Sequence, residues 1–374
     1  MKTKTKKHQQ TRTRNRTQKI RMLRLPMLAK YAHSPPTPGQ ELTQAEREAD
    51  PLFRKEGRFF ELKEYPVGVV RESCDVYGIQ PDGSQRLLAK FRKAVLPADA
   101  CQKAYDALYK VAQLWTDNRG AAAGMLNLRH VPGHVGSVVK RGKFRVFYKS
   151  AVDGKAKKSN TGNEVRSNII GYYDRPDRNA LRGGEKMRGP PCRQTAFTRD
   201  EVGKWRDCQP LIRAVDRQFV RLVPDRYRAQ LARCQLTPKF QIGDTAFSTI
   251  TVNYNYRTAL HKDAGDLDEG YGNLVVLEKN KVTGGADNSQ TWAYDGSYLG
   301  FPRYGVCIDV RHGDFLAMDV HEWHGNTKLI CTCPSGPKCR DDSHFGRMSL
   351  VFYLRKKMAE CATQRAAGKL SNMN

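Results

Sequence analysis

No acidic side chain occurs before Glu41, while Lys2, Lys4, Lys6, Lys7, Arg12, Arg14, Arg16, Lys19, Arg21 and Arg24 all stand in that stretch. Residues 1–40 also lack apolar periodicity and end on the linker-like "HSPPTPGQ", which excludes a packed amphipathic element there. What remains is a basic N-terminal extension, residues 1–45, expected to be disordered. The favoured reading is a solvated DNA-contacting tail, with a nuclear address and an Arg-rich mitochondrial transit peptide as the others. An anionic membrane surface would also attract such charge, but no apolar run approaches the length of a transmembrane helix, and no membrane partner is expected. No secretory signal precedes the ten cysteines, spread from Cys74 to Cys361; such usage suits a reducing compartment, with thiols free or on metal. An internal repeat and a Gly-rich phosphate loop are both missing, so solenoids and P-loop nucleotide chemistry are set aside.

What is present is charge. The 374 residues carry 65 Lys and Arg against 38 Asp and Glu, a net +27. A chain this basic is expected to meet a polyanion, nucleic acid first, because phosphate neutralisation releases counterions. The length accommodates one large catalytic domain behind the extension. Residues 46–200 read as an α/β region with basic DNA-contacting loops, 201–360 as the core, and 361–374 as a tail. In "PADACQKAYDALYKVAQLW" apolar residues at 101, 104, 108, 111 and 115 predict a helix. Leu211, Val215, Phe219 and Leu222 predict another, stopped before Pro224. Between them, "KFRVFYK" alternates like an exposed strand or hairpin and offers either a second phosphate contact or simply a soluble charged face.

After residue 238 the texture changes. "FSTITVNYNY", "GNLVVLE", "GVCIDVR", "GDFLAMDV" and "RMSLVFYLR" are short, rich in β-branched and aromatic residues, and joined by glycine-bearing connections. Strands after helices predict an α+β fold with a double-stranded β-helix (jelly roll, cupin-like) core backed by helices.

Within "TALHKDAGDLDEGYGNLVVLE", His261 and Asp263 are two residues apart. A strand sends such residues to one face, where both can approach one ion. Downstream, "MDVHEWHGNTKL" supplies a distal histidine, His321 or His324. Two histidines and one carboxylate form a facial triad with open positions, the ligand set of non-haem Fe(II) that must also take a cosubstrate and O2. Arg347, opening "RMSLVFYLR", suits the bidentate grip of a carboxylate, and Ser349 shares its face. Together they read as a 2-oxoglutarate clamp.

With these residues in hand, "RTALHKDAGDLDEGYGNL", "HEWHGNTKL" and "GRMSLVFYLRKK" resemble the oxygenase core of the TET and J-binding-protein family of Fe(II)/2-oxoglutarate DNA dioxygenases. "GYYDR", "CRQTAFT" and "LVPDRY" resemble its J-binding-protein branch, and the likeness covers roughly residues 168–358 of the chain. The resemblance implies iron on His261, Asp263 and His324, and 2-oxoglutarate on Arg347 and Ser349. It further implies stacking of a flipped-out base on Tyr353 and a polar contact from Asp266 to the pyrimidine edge. Arg355 stands where some members carry a base-contacting histidine.

One insertion departs from the family. In "ICTCPSGPKCRDDSHFG", Cys331, Cys333, Cys339 and His344 have the ligand types of a structural Zn2+ site, with reduced thiols as the alternative. The expected reaction is hydroxylation of the 5-methyl group of 5-methylcytosine or thymine in DNA, by a monomer in a nucleus, a microbial or viral nucleoid, or a mitochondrion. Breadth of the family favours 5-methylcytosine slightly. An RNA or protein hydroxylase of the same superfamily, an ascorbate-using relative and a non-catalytic DNA-binding module are the rivals.

Overall fold

The computed structural model describes residues 20–33, 43–125, 134–140, 143–149, 156–159, 163–174, 192–281, 294–334, 344–359 and 361. The chain enters through β1 (Arg21–Pro26), β2 (Gly68–Val70), β3 (Cys74–Ile79) and β4 (Gln85–Arg92). The basic hairpin read from "KFRVFYK" lies in a separate antiparallel sheet of β5 (His134–Lys140), β6 (Lys143–Lys149) and β7 (Ala156–Ser159). β8 (Ser167–Tyr173) and β9 (Arg193–Gln194) follow. The helices are α1 (Gln44–Ala49), α2 (Ala98–Ala112), α3 (Ala196–Asp200), α4 (Val202–Leu222) and α5 (Pro224–Gln235). Both periodic segments are therefore helical, except that α2 ends at Ala112 and leaves Trp115 outside it and exposed, and α4 begins about nine residues before the apolar stripe that signals it.

The strands predicted after residue 238 are β10 (Thr249–Tyr254), β11 (Gly272–Asn280), β14 (Val306–Ile308), β15 (Phe315–Met318) and β18 (Phe345–Tyr353). Shorter ones intervene: β12 (Tyr294–Gly296), β13 (Leu299–Phe301), β16 (Gly325–Asn326) and β17 (Leu329–Cys331). Nine strands make the major sheet, in the order β1-β3-β4-β15-β11-β18-β10-β8-β9, and β16-β13-β14-β2 make a smaller one.

Alternation along the central strands fixes the layers. Met348, Leu350 and Phe352 of β18 and Val275 and Leu277 of β11 join the cluster under α2 and α4. Leu274 and Val276 face the other way, against Leu299, Phe301, Val306 and Ile308 of the smaller sheet. A sheet buried on both faces, by helices on one side and a second sheet on the other, is the jelly roll backed by helices that the sequence predicts. Each fully buried Phe or Leu in these layers contributes about 1.5–3 kcal/mol. The odd residues of β18, Arg347, Ser349 and Tyr353, are thereby turned inside the roll.

Three expectations are corrected. Residues 20–33 are not part of a disordered extension: β1 pairs in parallel with β3 at the sheet edge, and Tyr31 is buried. A basic strand in which Leu25 alone is buried has too little apolar alternation to signal itself. The boundary drawn at residue 200 is not one the sheet respects: residues 46–200 supply β3, β4 and β8 to the same sheet as β10, β11, β15 and β18, because strand order follows pairing and not sequence. Finally, Cys192 and Cys361 are joined as a disulfide, where thiols free or on metal were expected; spacing carries no information on such a connection. The arm before residue 20, most of the C-terminal tail and Cys339 lie outside the described residues.

Candidate active site

His261 and His324 sit on adjoining segments tied by reciprocal backbone bonds, His261 N–H to His324 O at 3.0 Å and His324 N–H to His261 O at 3.1 Å. Asp263 is held by its own N–H on the carbonyl of Val320 at 3.0 Å. The two segments approach closely at Gly325, where a Cβ would lie 3.1–3.2 Å from the backbone of Ala259 and Leu260. Glycine after the distal histidine thus belongs to the geometry of the site.

Both imidazoles are oriented through Nδ1, which meets the carbonyl of Ala259 at 2.7 Å in His261 and that of Glu322 at 2.9 Å in His324. Each Nε2 is thereby aimed at Asp263, at 3.6 Å from Oδ1 and 3.6 Å from Oδ2 respectively. One ligand atom from each of the three residues lies within 4.8 Å of the others. Two imidazoles with carbonyl-fixed tautomers and a carboxylate between them fit a first-row divalent ion, Fe(II) included. His324 is almost fully covered, yet the Asp263 side chain keeps 35% of its exposure, so the cluster opens on one side. His321 is not in it: its Nε2 meets the carbonyl of Leu267 at 3.0 Å.

Protonation follows the same geometry. Burial, reinforced by the neighbouring His324, pushes the His261 imidazole down to about 4, which keeps it neutral and free to ligate. For Asp263 burial acts upward, but the hydrogen bond with His324 and the charges of both histidines outweigh it and hold the carboxyl low. His324 is raised, the bond and charge of Asp263 overcoming its own desolvation.

Arg347 is 3% exposed. Its Nε donates to the Tyr294 hydroxyl at 3.1 Å, and Tyr294 in turn bonds Glu278. Ser349 takes a hydrogen bond from Asn253 Nδ2 at 3.4 Å. Further along the same face the Tyr353 hydroxyl meets Thr251 Oγ1 at 3.1 Å. Asp266 and Arg355 are bridged through their backbones, and the guanidinium of Arg355 lies over Gly265. The three side chains singled out for the base therefore gather beside the triad. Burial and the charge of Asp263 raise the Asp266 carboxyl well above the usual range, favouring the neutral acid.

Several participants carry no signal in the sequence. Arg355 Nε is bonded to buried Asp174 at 2.7 Å, which fixes its direction. Arg119 donates from Nε and Nη2 to the carbonyl of Ser167 at 3.2 and 3.1 Å, and its charge is felt at His261, Tyr256 and Tyr353. Behind the distal histidine, fully buried Arg303 links Glu322 at 3.0 Å to Asp50 at 2.7 Å. Asp50 also accepts from Trp323 Nε1 at 2.7 Å. Cys331, Cys333 and His344 form a second three-ligand group.

Comparison with known proteins matches residues 181–356 to the TET/JBP model, described as the oxygenase domain of the 2OGFeDO superfamily. Thymine dioxygenase JBP1 of Trypanosoma brucei brucei is 30% identical over 250 residues, 65% of this chain and 25% of that protein. The bifunctional helicase and thymine dioxygenase JBP2 of Leishmania major is 30% identical over 197 residues, 53% of this chain and 15% of that protein. The solved structure of NgTET1 in complex with 5mC DNA has a TM-score of 0.42 and 12% identity, covering 80% of this chain and 89% of that one. The chain spans a quarter or less of the length of these two curated relatives. Residues 181–356 thus match the oxygenase domain of the TET/J-binding-protein family.

Proposed function

We propose that the chain is an Fe(II)- and 2-oxoglutarate-dependent dioxygenase that hydroxylates the 5-methyl group of a pyrimidine flipped out of DNA, with thymine the preferred base. The observation that carries this reading is the convergence of His261 Nε2 and His324 Nε2 on the Asp263 carboxylate, inside the roll into which Arg347 also points. The thymine dioxygenases among its relatives support the substrate class.

His261, Asp263 and His324 would hold Fe(II), and the metal with 2-oxoglutarate supplies dioxygen-dependent oxidation that hydroxylates a methyl group while the oxo acid becomes succinate and CO2. The chain's own residues bind and orient. Arg347, with Tyr294 on its Nε, would turn its terminal N–H groups to the distal carboxylate of the oxo acid, and Ser349 would add a hydroxyl. Arg119 is a second cation suited to an anion at this site.

A methyl in the major groove cannot reach a metal inside the roll, so the nucleotide must leave the stack. Tyr353 would cover the extruded ring. A neutral Asp266 donates and accepts at once, matching the adjacent donor and acceptor that either pyrimidine offers. Arg355 has donors only, so it suits an oxygen at the base edge and disfavours the amino group of cytosine. That preference, with the relatives, moves the choice from 5-methylcytosine to thymine.

Phosphate contacts from the basic surface would hold the distorted duplex. The chain is read as a monomer working where DNA is, nucleus or nucleoid; among the described residues no helix is long and apolar enough to cross a membrane.

The test is nucleoside mass spectrometry after incubating the chain with Fe(II), 2-oxoglutarate and, in parallel, thymine-containing and 5-methylcytosine-containing duplexes. Hydroxymethyl products are expected, with His261→Ala and Asp263→Ala abolishing turnover and leaving DNA affinity nearly intact. No product from either base, with succinate not formed, ends the proposal.

A further inference from the structure

β17 ends at Cys331 and β18 begins at Phe345, directly after His344. The two ends of the inserted segment therefore meet. Cys331 Sγ lies 3.3 Å from His344 Nδ1, and one ligand atom from each of Cys331, Cys333 and His344 lies within 4.8 Å of the others. In a tetrahedral Zn2+ site the bond lengths to sulfur and nitrogen put those two atoms about 3.6 Å apart. The backbone N–H of Cys333 points at Cys331 Sγ at 3.4 Å, the outer contact that favours a thiolate over a thiol. Both cysteines are buried. Two soft sulfurs and an imidazole select Zn2+ over the hard cations, and they differ in kind from the oxygen-bearing set around Asp263. Cys339 lies outside the described residues.

The group also touches the machinery of the proposed reaction. Cys331 pairs with Tyr294 across β12 and β17. Tyr294 packs on Phe345 with ring centroids 5.2 Å apart and accepts the Nε bond of Arg347. Cys333 and Leu329 close the same small apolar cluster. Whatever fixes Cys331 to His344 thus fixes both neighbours of Tyr294, and through them the guanidinium.

We propose that Cys331, Cys333 and His344 bind a structural Zn2+ that ties β17 to the start of β18 and so positions Arg347. The site itself stands on its own geometry; its consequence for 2-oxoglutarate rests on the function proposed above. Cys331, Cys333 and His344 are ligands here, and Tyr294 is a positioning residue.

Elemental mass spectrometry of the purified full chain is expected to find about one zinc per chain, lost in both Cys333→Ser and His344→Ala. Zinc-free parent protein, or zinc undiminished in both variants, overturns the site. Should a variant prove insoluble, cobalt substituted into the parent chain decides the matter: thiolate charge-transfer absorption with tetrahedral visible bands supports the site, and their absence sinks it.

Calorimetric titration with 2-oxoglutarate then tests the link to Arg347. Cys333→Ser is expected to bind it roughly tenfold more weakly, with metal affinity at His261 and Asp263 unchanged. Equal 2-oxoglutarate affinity with and without zinc overturns the positioning role. No 2-oxoglutarate binding by the zinc-loaded parent counts against the proposed function instead, and the zinc content still decides the site.

Discussion

At the scale of single residues, the pocket's chemistry turns on which groups can only donate. Arg355 is such a group, and Asp174 fixes its direction. Replacing it by histidine, which can accept on one ring nitrogen, is expected to move the ratio of thymine to 5-methylcytosine turnover toward 5-methylcytosine by roughly tenfold, the scale of one lost base contact. Competition between the two duplexes in one tube measures it; an unchanged ratio removes Arg355 from base selection. Two-residue spacing on a strand put Arg347 and Ser349 on one face as expected. His261 and Asp263, by contrast, lie outside the named strands and His261 is held by an isolated bridge to His324, so the strand expected there is corrected although the three side chains still meet. Asp174, Arg119 and Asp50 were not legible in the sequence, since their partnerships are made by the fold. Asp50 meets Trp323 across 273 positions of sequence, and no local pattern registers that.

Among elements, the segment carrying the distal histidine is braced by buried charge. Arg303 has Glu322 on one side and Asp50 on the other, with almost no access to water. Asp50→Ala leaves the guanidinium half-compensated and the Trp323 N–H without its acceptor, so unfolding in urea is expected to cost about 3–5 kcal/mol less than in the parent. Because Glu322 O also orients His324 Nδ1, metal affinity should fall in the same variant. Normal stability and normal metal binding together would show that the brace is dispensable. The long helices and the apolar strands of this framework could be read from periodicity. Three-residue strands such as β12 and β13, and the register that sets Tyr294 opposite Cys331, could not: so short a run has no period to display.

For the whole molecule, pH and salt are the accessible probes. Half-buried Glu56 has its carboxyl raised from an ordinary 4.5 to about 7, by burial first, against the opposing charge of Lys262. The folded chain holds that proton more tightly than the unfolded one, so the contribution to stability is complete below pH 4.5 and is lost as pH rises through about 7. Glu56→Gln stays neutral throughout. Its melting temperature is expected to exceed the parent's at about pH 8 and to approach it near about pH 4; a constant offset across that range would refute the assignment. The proposed DNA affinity, argued from the excess of 27 positive charges, is expected to fall steeply and linearly on a logarithmic salt axis. A flat salt response would mean that the basic surface serves another purpose.

The placement of β1 bears on how the protein can be handled. Leu28 N–H binds Arg303 O at 2.8 Å, and Arg303 in turn donates to the carbonyl of Tyr31. Trimming the chain at residue 45, as its composition invites, would strip a strand from β3 and leave a raw sheet margin open to self-association. The same cut would loosen the brace behind His324. A shortened version that clumps on purification, or that fails to take up metal, would then be reporting on surgery and not on the intact chain.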